Sequence, residues 1–140
     1  FNGMFAFAVW DARTRELFLA RDRLGKKPLY YTQLPDGRLA FASELKALMT
    51  LPELRPVLEP AAVEDYLAFG YVPDPRTVLR GVWRLPPATT MVARVGQPLP
   101  APQTYWDLTP ESVGGADETA LQAELLDRLR DAVSIRLMSE

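Results

Sequence analysis

The chain has 140 residues, 48% of them apolar and 24% charged, with a formal net charge of −2. That balance suits a globular chain, supplies no basic stripe for nucleic acid, and holds no apolar run near the roughly 20 residues that cross a bilayer. Cys and His are both absent, so disulfides, thiolate nucleophiles, imidazole bases and the usual zinc ligands are excluded from this sequence.

The chain reads as a fragment of something longer. It does not begin with Met, it opens directly into the apolar stretch Gly3 to Trp10, and it closes at Met138-Ser139-Glu140 in what reads as mid-helix. Met4 to Asp11 carries Phe, Ala, Val and Trp on both faces, which predicts a central strand covered on two sides. The polar turn Asp11 to Arg15 and the apolar run Leu17 to Ala20 complete an antiparallel hairpin. Arg23 to Lys27 form a Gly-containing loop closed by Pro28, which is tolerated at the first residue of a strand.

Leu29 to Gln33 reads as the next strand, and Pro35-Asp36-Gly37 is a turn in which Pro presets φ and Gly accepts a positive φ. Leu39 to Ala42 returns as its hairpin partner. Ser43 is placed to cap a helix through Glu44, Leu45, Leu48 and Met49. Pro52 to Pro60 is loop-like, and Pro60 suits the first turn of a helix whose apolar stripe is Val63, Tyr66, Leu67 and Phe69, ending at Gly70. Tyr71 to Pro75 is extended or turned, and Thr77 to Trp83 is read as containing one helical turn, stopped by Leu85-Pro86-Pro87. Thr90 to Val95 and Leu99 to Trp106 form one more strand pair around Gly96-Gln97-Pro98.

Thr109 to Gly115 lacks periodicity and is rich in small residues, as in an interdomain linker. After it, Asp117 or Thr119 is placed to cap a long helix with Leu121, Leu125, Leu129, Ala132 and Arg136 on one side, widened by Leu126, Val133 and Leu137. Such a stripe needs a partner to bury it.

Several of these stretches together resemble the glutamine-hydrolysing asparagine synthetases of bacterial type, in the class II glutamine amidotransferase group, and more narrowly those beside exosortase and exopolysaccharide systems. The residues that carry the resemblance are Gly3-Met4-Phe5-Ala6-Phe7-Ala8, Arg21-Asp22-Arg23-Leu24-Gly25 with Pro28-Leu29-Tyr30-Tyr31, Ala42-Ser43-Glu44-Leu45-Lys46-Ala47-Leu48, Gly70-Tyr71-Val72-Pro73, Leu85-Pro86-Pro87, Tyr105-Trp106 and Arg136-Leu137-Met138-Ser139. The resemblance implies an α+β fold, namely the C-terminal part of an Ntn-type α/β/β/α glutaminase with antiparallel sheets over 1–107. A linker over 108–116 and the first helix of an ATP-pyrophosphatase α/β domain over 117–140 follow. It also implies a cytoplasmic enzyme that uses glutamine, aspartate, ATP and Mg2+, with a homodimer as one expectation and neither nucleic acid nor membrane as partner.

In that family the nucleophilic Cys and the glutamine-binding residues fall upstream of Phe1, and the phosphate-binding Ser-Gly-Gly-x-Asp-Ser loop falls beyond Glu140. No catalytic, substrate-binding or metal-binding residue is therefore expected in this chain, and it is expected to be inactive alone. The resemblance places Met4 and the loop residues Lys26 and Lys27 near the ammonia tunnel. Met4 reads equally well as a core residue. Lys26 stands where the family usually has Ile and is expected to reach solvent, because a Lys in a dry conduit would incur several kcal/mol of desolvation. Ala88 and Thr89 stand where Gly-His is usual. Arg21, Asp22, Gly25, Pro28, Ser43 and Glu44 are read as scaffold, with Arg21-Asp22 in an ion-paired structural role and Ser43 as a cap. Two rival readings keep the fold but amidate another carboxylate, such as a surface sugar acid or a lactam precursor, or make the chain a non-catalytic interaction or scaffold domain.

Overall fold

The computed structural model describes residues 1–110 and 117–137. The chain divides into two compact units, residues 1–107 and residues 108–140.

The first unit is built from two antiparallel sheets. One has the order β1-β2-β6-β7, from β1 (Ala6–Asp11), β2 (Glu16–Arg21), β6 (Thr89–Arg94) and β7 (Gln103–Thr104). The other has the order β4-β3-β5, from β4 (Leu39–Ala42), β3 (Tyr30–Gln33) and β5 (Val82–Arg84). The two hairpins expected from the turn signals form, but they lie in different sheets. Asp11 Oδ1 accepts from the amides of Arg13 and Thr14 and closes the first turn, while Gly37 takes φ 84° in the second.

Register decides what each face buries. Leu19 stands opposite Ala8 on one side and Met91 on the other, and Leu19 and Met91 pack with Leu29, Tyr31 and Leu85 into a core between the sheets. Tyr30, one residue along from Tyr31, faces the other way. It packs with Ala40, Ala42 and Leu45 against a second cluster of Leu48, Leu79 and Val82, which the short helix α1 (Leu45–Leu48) helps to cover. The two-sided burial expected of the first strand is thus found in the sheet that β3 centres.

β1 itself is an edge strand. Among the described residues it pairs with β2 alone, and Ala8, Val9 and Trp10 are exposed. Apolar side chains on both faces predict a central, covered strand, yet no other described strand reaches its second edge and Ala8 to Trp10 lack cover among the described residues.

Three local expectations also change. α1 begins after Glu44, which is extended and makes no side-chain cap bond; Ser43 lies one residue too early to reach the amides of the first turn. The helix α2 (Pro60–Phe69) starts with Pro60 and ends at Gly70 with φ 76° as expected, but Ala62 is its buried residue, while Val63, Tyr66, Leu67 and Phe69 are exposed. Thr77 to Trp83 is no helical turn. Thr77 Oγ1 accepts from the Leu79 amide and donates to the Val82 carbonyl at 2.8 Å, a side-chain turn that feeds the chain into β5. The strand expected over Leu99 to Trp106 shrinks to the two residues of β7, which pair with Thr89 and Thr90.

In the second unit the helix α3 (Glu118–Ser134) is capped by Asp117, whose carboxylate accepts from the Thr119 amide. Its stripe residues Leu121, Leu125, Leu129, Val133 and Leu137 are exposed. The expected linker falls largely on residues 111–116, and the expected end of the helix on 138–140; both lie outside the described residues. Among the described residues no helix is long and apolar enough to cross a membrane.

Candidate functional site

The site with the most buried polar structure is the loop that leaves β2. Strand alternation places Arg21 on the same face as Leu17 and Leu19, pointing a charged side chain into the core, where it must find partners. It finds four. Nε donates to the Lys27 carbonyl at 2.8 Å, Nη2 to the Gly25 carbonyl at 2.7 Å, and Nη1 to the Leu85 carbonyl at 2.6 Å and to Asp74 Oδ2 at 2.8 Å. The guanidinium side chain is 6% exposed. Arg84 Nη1 donates to the other Asp74 oxygen at 2.7 Å and its guanidinium lies 5.3 Å from the Tyr30 ring centroid.

Asp22 does not pair with Arg21. Its carboxylate is 1% exposed and is held by backbone amides: Oδ1 accepts from Leu24 at 3.2 Å and Lys26 at 2.9 Å, and Oδ2 from Lys27 at 3.0 Å and Phe5 at 3.3 Å. Burial opposes ionisation, but these four amides outweigh it and hold the carboxyl below its ordinary value of 3.8. The Asp22 main chain closes the assembly, its amide donating to the Phe5 carbonyl and its carbonyl accepting from Gly25 and Ala88. The expected structural role of the Arg21-Asp22 pair is therefore divided, with Arg21 ion-paired to Asp74 and Asp22 solvated by the loop that it organises.

Gly25 is required twice over. Its φ is 62°, and a Cβ there would stand 2.8 Å from Pro87 Cγ and 3.0 Å from Arg21 Cζ. Pro28 follows the loop and precedes β3, and the Leu29 carbonyl accepts from Leu85, so loop and Leu85-Pro86-Pro87 turn are fastened side by side. Tyr105 adds a hydroxyl bond to the Arg21 carbonyl at 2.8 Å. Burial and the Asp22 charge together raise the Tyr105 phenol above its ordinary range.

Of the residues singled out from sequence, Arg21, Asp22 and Gly25 meet in this assembly, and Lys26 and Lys27 contribute their amides while their side chains are exposed. Met4 is 56% exposed; it adjoins Phe5, whose amide and carbonyl both bond to Asp22. Ser43 and Glu44 are exposed and stand apart from it at the start of α1. Sequence reasoning missed Asp74, Arg84, Tyr105 and the Leu85 carbonyl. The available signal was the inward-facing position of Arg21 at the end of an apolar strand, which demands an acidic partner from elsewhere.

The chemistry of this assembly is fixation. Asp22 has both oxygens occupied by amides, and the Arg21 guanidinium is engaged by three carbonyls and Asp74. A separate cleft of about 460 Å3 lies at the ends of the two sheets, lined by Trp10, Leu17, Leu39 and Leu99 with Arg38 and Arg94 among others; it gathers none of the residues expected from sequence.

A family model described as a glutamine amidotransferase domain matches residues 1–106. Asparagine synthetase [glutamine-hydrolyzing] 1 of Bacillus subtilis is 33% identical over 139 residues, which are 99% of this chain and 21% of that protein. Asparagine synthetase [glutamine-hydrolyzing] 3 of the same organism is 32% identical, over 99% of this chain and 22% of that protein. Amidase chyE of Penicillium rubens is 33% identical, over 99% of this chain and 20% of that protein. The chain spans 16% to 27% of the length of the first curated relatives it matches. The mixed α/β architecture with antiparallel sheets is compatible with the matched domain. The chain belongs to the glutamine amidotransferase domain family, and its relatives include proteins named as glutamine-hydrolysing asparagine synthetases.

Proposed function

We propose that this chain is the second half of the glutaminase domain of a glutamine-dependent asparagine synthetase, a linker, and the first helix of its ATP-pyrophosphatase domain. The observation that carries the reading is the family match over 1–106 together with similarity along 99% of this chain to relatives named as glutamine-hydrolysing asparagine synthetases. In this reading a Cys upstream of Phe1 attacks the glutamine carboxamide and releases ammonia, and water completes hydrolysis to glutamate. Ammonia then passes to a second site and displaces the activated carboxylate of aspartate. ATP with Mg2+ supplies that activation. Among the described residues no group of three or more His, Cys, Asp or Glu is placed to hold a metal ion.

The four-layer Ntn arrangement belongs to the same reading. Two facing sheets and α1 supply three layers, and the outer face of β1-β2-β6-β7 carries Phe7 and Phe18, half-buried with ring centroids 6.0 Å apart, as a surface on which a fourth layer would pack. Met4 and the Lys26–Lys27 loop border the ammonia path in this reading. An apolar wall neither protonates ammonia nor invites water, and Met4 suits it; the Lys26 side chain is exposed. The enzyme is cytoplasmic and a homodimer in this account.

A second acceptor is supported by the relative named Amidase chyE, since a shared glutaminase half is compatible with amidation of a different carboxylate. The test of the first reading is the longer polypeptide given glutamine and ATP, with and without aspartate. Asparagine formed only with aspartate is expected; an amidated product independent of aspartate transfers the assignment to another acceptor. The 140-residue chain alone is expected to release no glutamate above a heat-treated control.

A further inference from the structure

Asp22 is a buried ionised carboxylate that touches nothing reactive, yet it gathers amides from two separate segments. Lys26 and Lys27 belong to its own loop, whereas Phe5 lies 17 residues earlier, immediately after Met4. The Asp22 main chain doubles the tie through the Phe5 carbonyl and extends it to Ala88. One side chain thus fixes the entrance to β1 against the loop that leaves β2. Among the described residues the bonds to its carboxylate all come from backbone amides, so its geometry is set by amide directions.

We propose that Asp22 is a positioning residue for nitrogen transfer: it holds the Met4–Phe5 segment in register with the Lys26–Lys27 loop, and that register sets how much of the released ammonia reaches the acceptor. The inference rests on the reading that these two segments border the ammonia path. Both Asp22 oxygens accept two amides each. In Asp22→Asn the new NH2 group must face two N–H donors, which drives the segments apart without changing side-chain volume.

The experiment uses the longer polypeptide and counts glutamate released per amide product, with glutamine and separately with ammonium chloride as nitrogen source. For D22N, glutamate release and the ammonium-driven rate are expected to stay within about twofold of native, while glutamate per product rises about threefold or more, as displacement of a transfer path without loss of either site requires. A purely structural role would lower both rates together and leave the ratio unchanged, and an unchanged ratio overturns the proposal. Native protein that makes product from ammonium but never from glutamine overturns instead the reading beneath it. Should D22N not fold, amide hydrogen exchange on the native protein decides: Phe5, Lys26 and Lys27 are expected to open together, and opening rates for Phe5 and the loop that differ by more than about tenfold overturn the coupling.

Discussion

The Arg21 guanidinium and the Asp74 carboxylate, 53 residues apart in sequence, meet at 2.8 Å beneath the loop that leaves β2. Arg84 shares the same carboxylate through its other oxygen. The pair joins the end of β2 to the approach to β5, and so ties one sheet to the other.

Arg21→Met removes a side chain that serves three loop and turn carbonyls as well as Asp74. Loss of one partner from a buried ion pair is expected to cost about 3–5 kcal/mol, read as a lowered urea midpoint. Arg21→Lys recovers only part of it, because an ammonium cannot reproduce the planar fork. A midpoint for R21M within error of native contradicts this account of the loop.

Gly25→Ala meets both a positive φ and two short contacts. The left-handed conformation alone costs about 1–2 kcal/mol for a residue with a Cβ, and the approach to Pro87 Cγ and Arg21 Cζ adds to it. At Gly37, where φ is 84° and nothing stands within 4 Å, the same substitution carries the conformational part alone. Thermal melts of the two variants are expected to differ, with G25A the lower.

Ala88 has φ 54°, in the left-handed region that glycine enters without a Cβ penalty. Its amide bonds to the Asp22 carbonyl and its own carbonyl accepts from Tyr105, so the surroundings impose the strained conformation. Ala88→Gly is expected to stabilise the chain by up to about 1 kcal/mol, the relieved strain outweighing a lost methyl and added chain entropy. An equal loss of stability would show that the methyl matters more than the backbone.

Asp22 also sets a pH dependence. Its folded pKa lies below the unfolded value, so the unfolded chain binds more protons in that window and stability rises with pH across it. The contribution is complete above about pH 5 and is lost as pH falls from about 4 through the lowered folded value. The stability difference between native protein and D22N, measured by urea titration, is expected to shrink on acidification through that range. A difference independent of pH would mean that the carboxylate is not ionised in the fold.

Local signals made much of this structure legible. Asp11 to Arg15 and Pro35-Asp36-Gly37 announced two hairpins, and Pro60 with Gly70 bracketed α2, because each acts through a backbone preference within a few residues. What stayed hidden depends on distant partners. β5 is three residues long and exists because Val82 to Arg84 pair with Thr32 to Tyr30; no period can show in so short a run. The apolar faces of β1 predict the sheet centre, but neighbours across an edge are not written in a strand's own composition, and β1 lies at the edge of its sheet. The Arg21-Asp22 pairing reads from sequence as one ion-paired motif, whereas the partners found, Asp74 and the Phe5 and Lys26 amides, follow from tertiary placement.

The most direct test of the central claim follows the nitrogen itself. The longer polypeptide is supplied with amide-15N glutamine, ATP and aspartate in the presence of unlabelled ammonium in excess, and the product amide is analysed by mass spectrometry. Predominant 15N in the amide is predicted, as expected of a glutaminase half that delivers its ammonia internally. Product carrying the unlabelled nitrogen of the bulk pool, with glutamine left intact, would contradict the account.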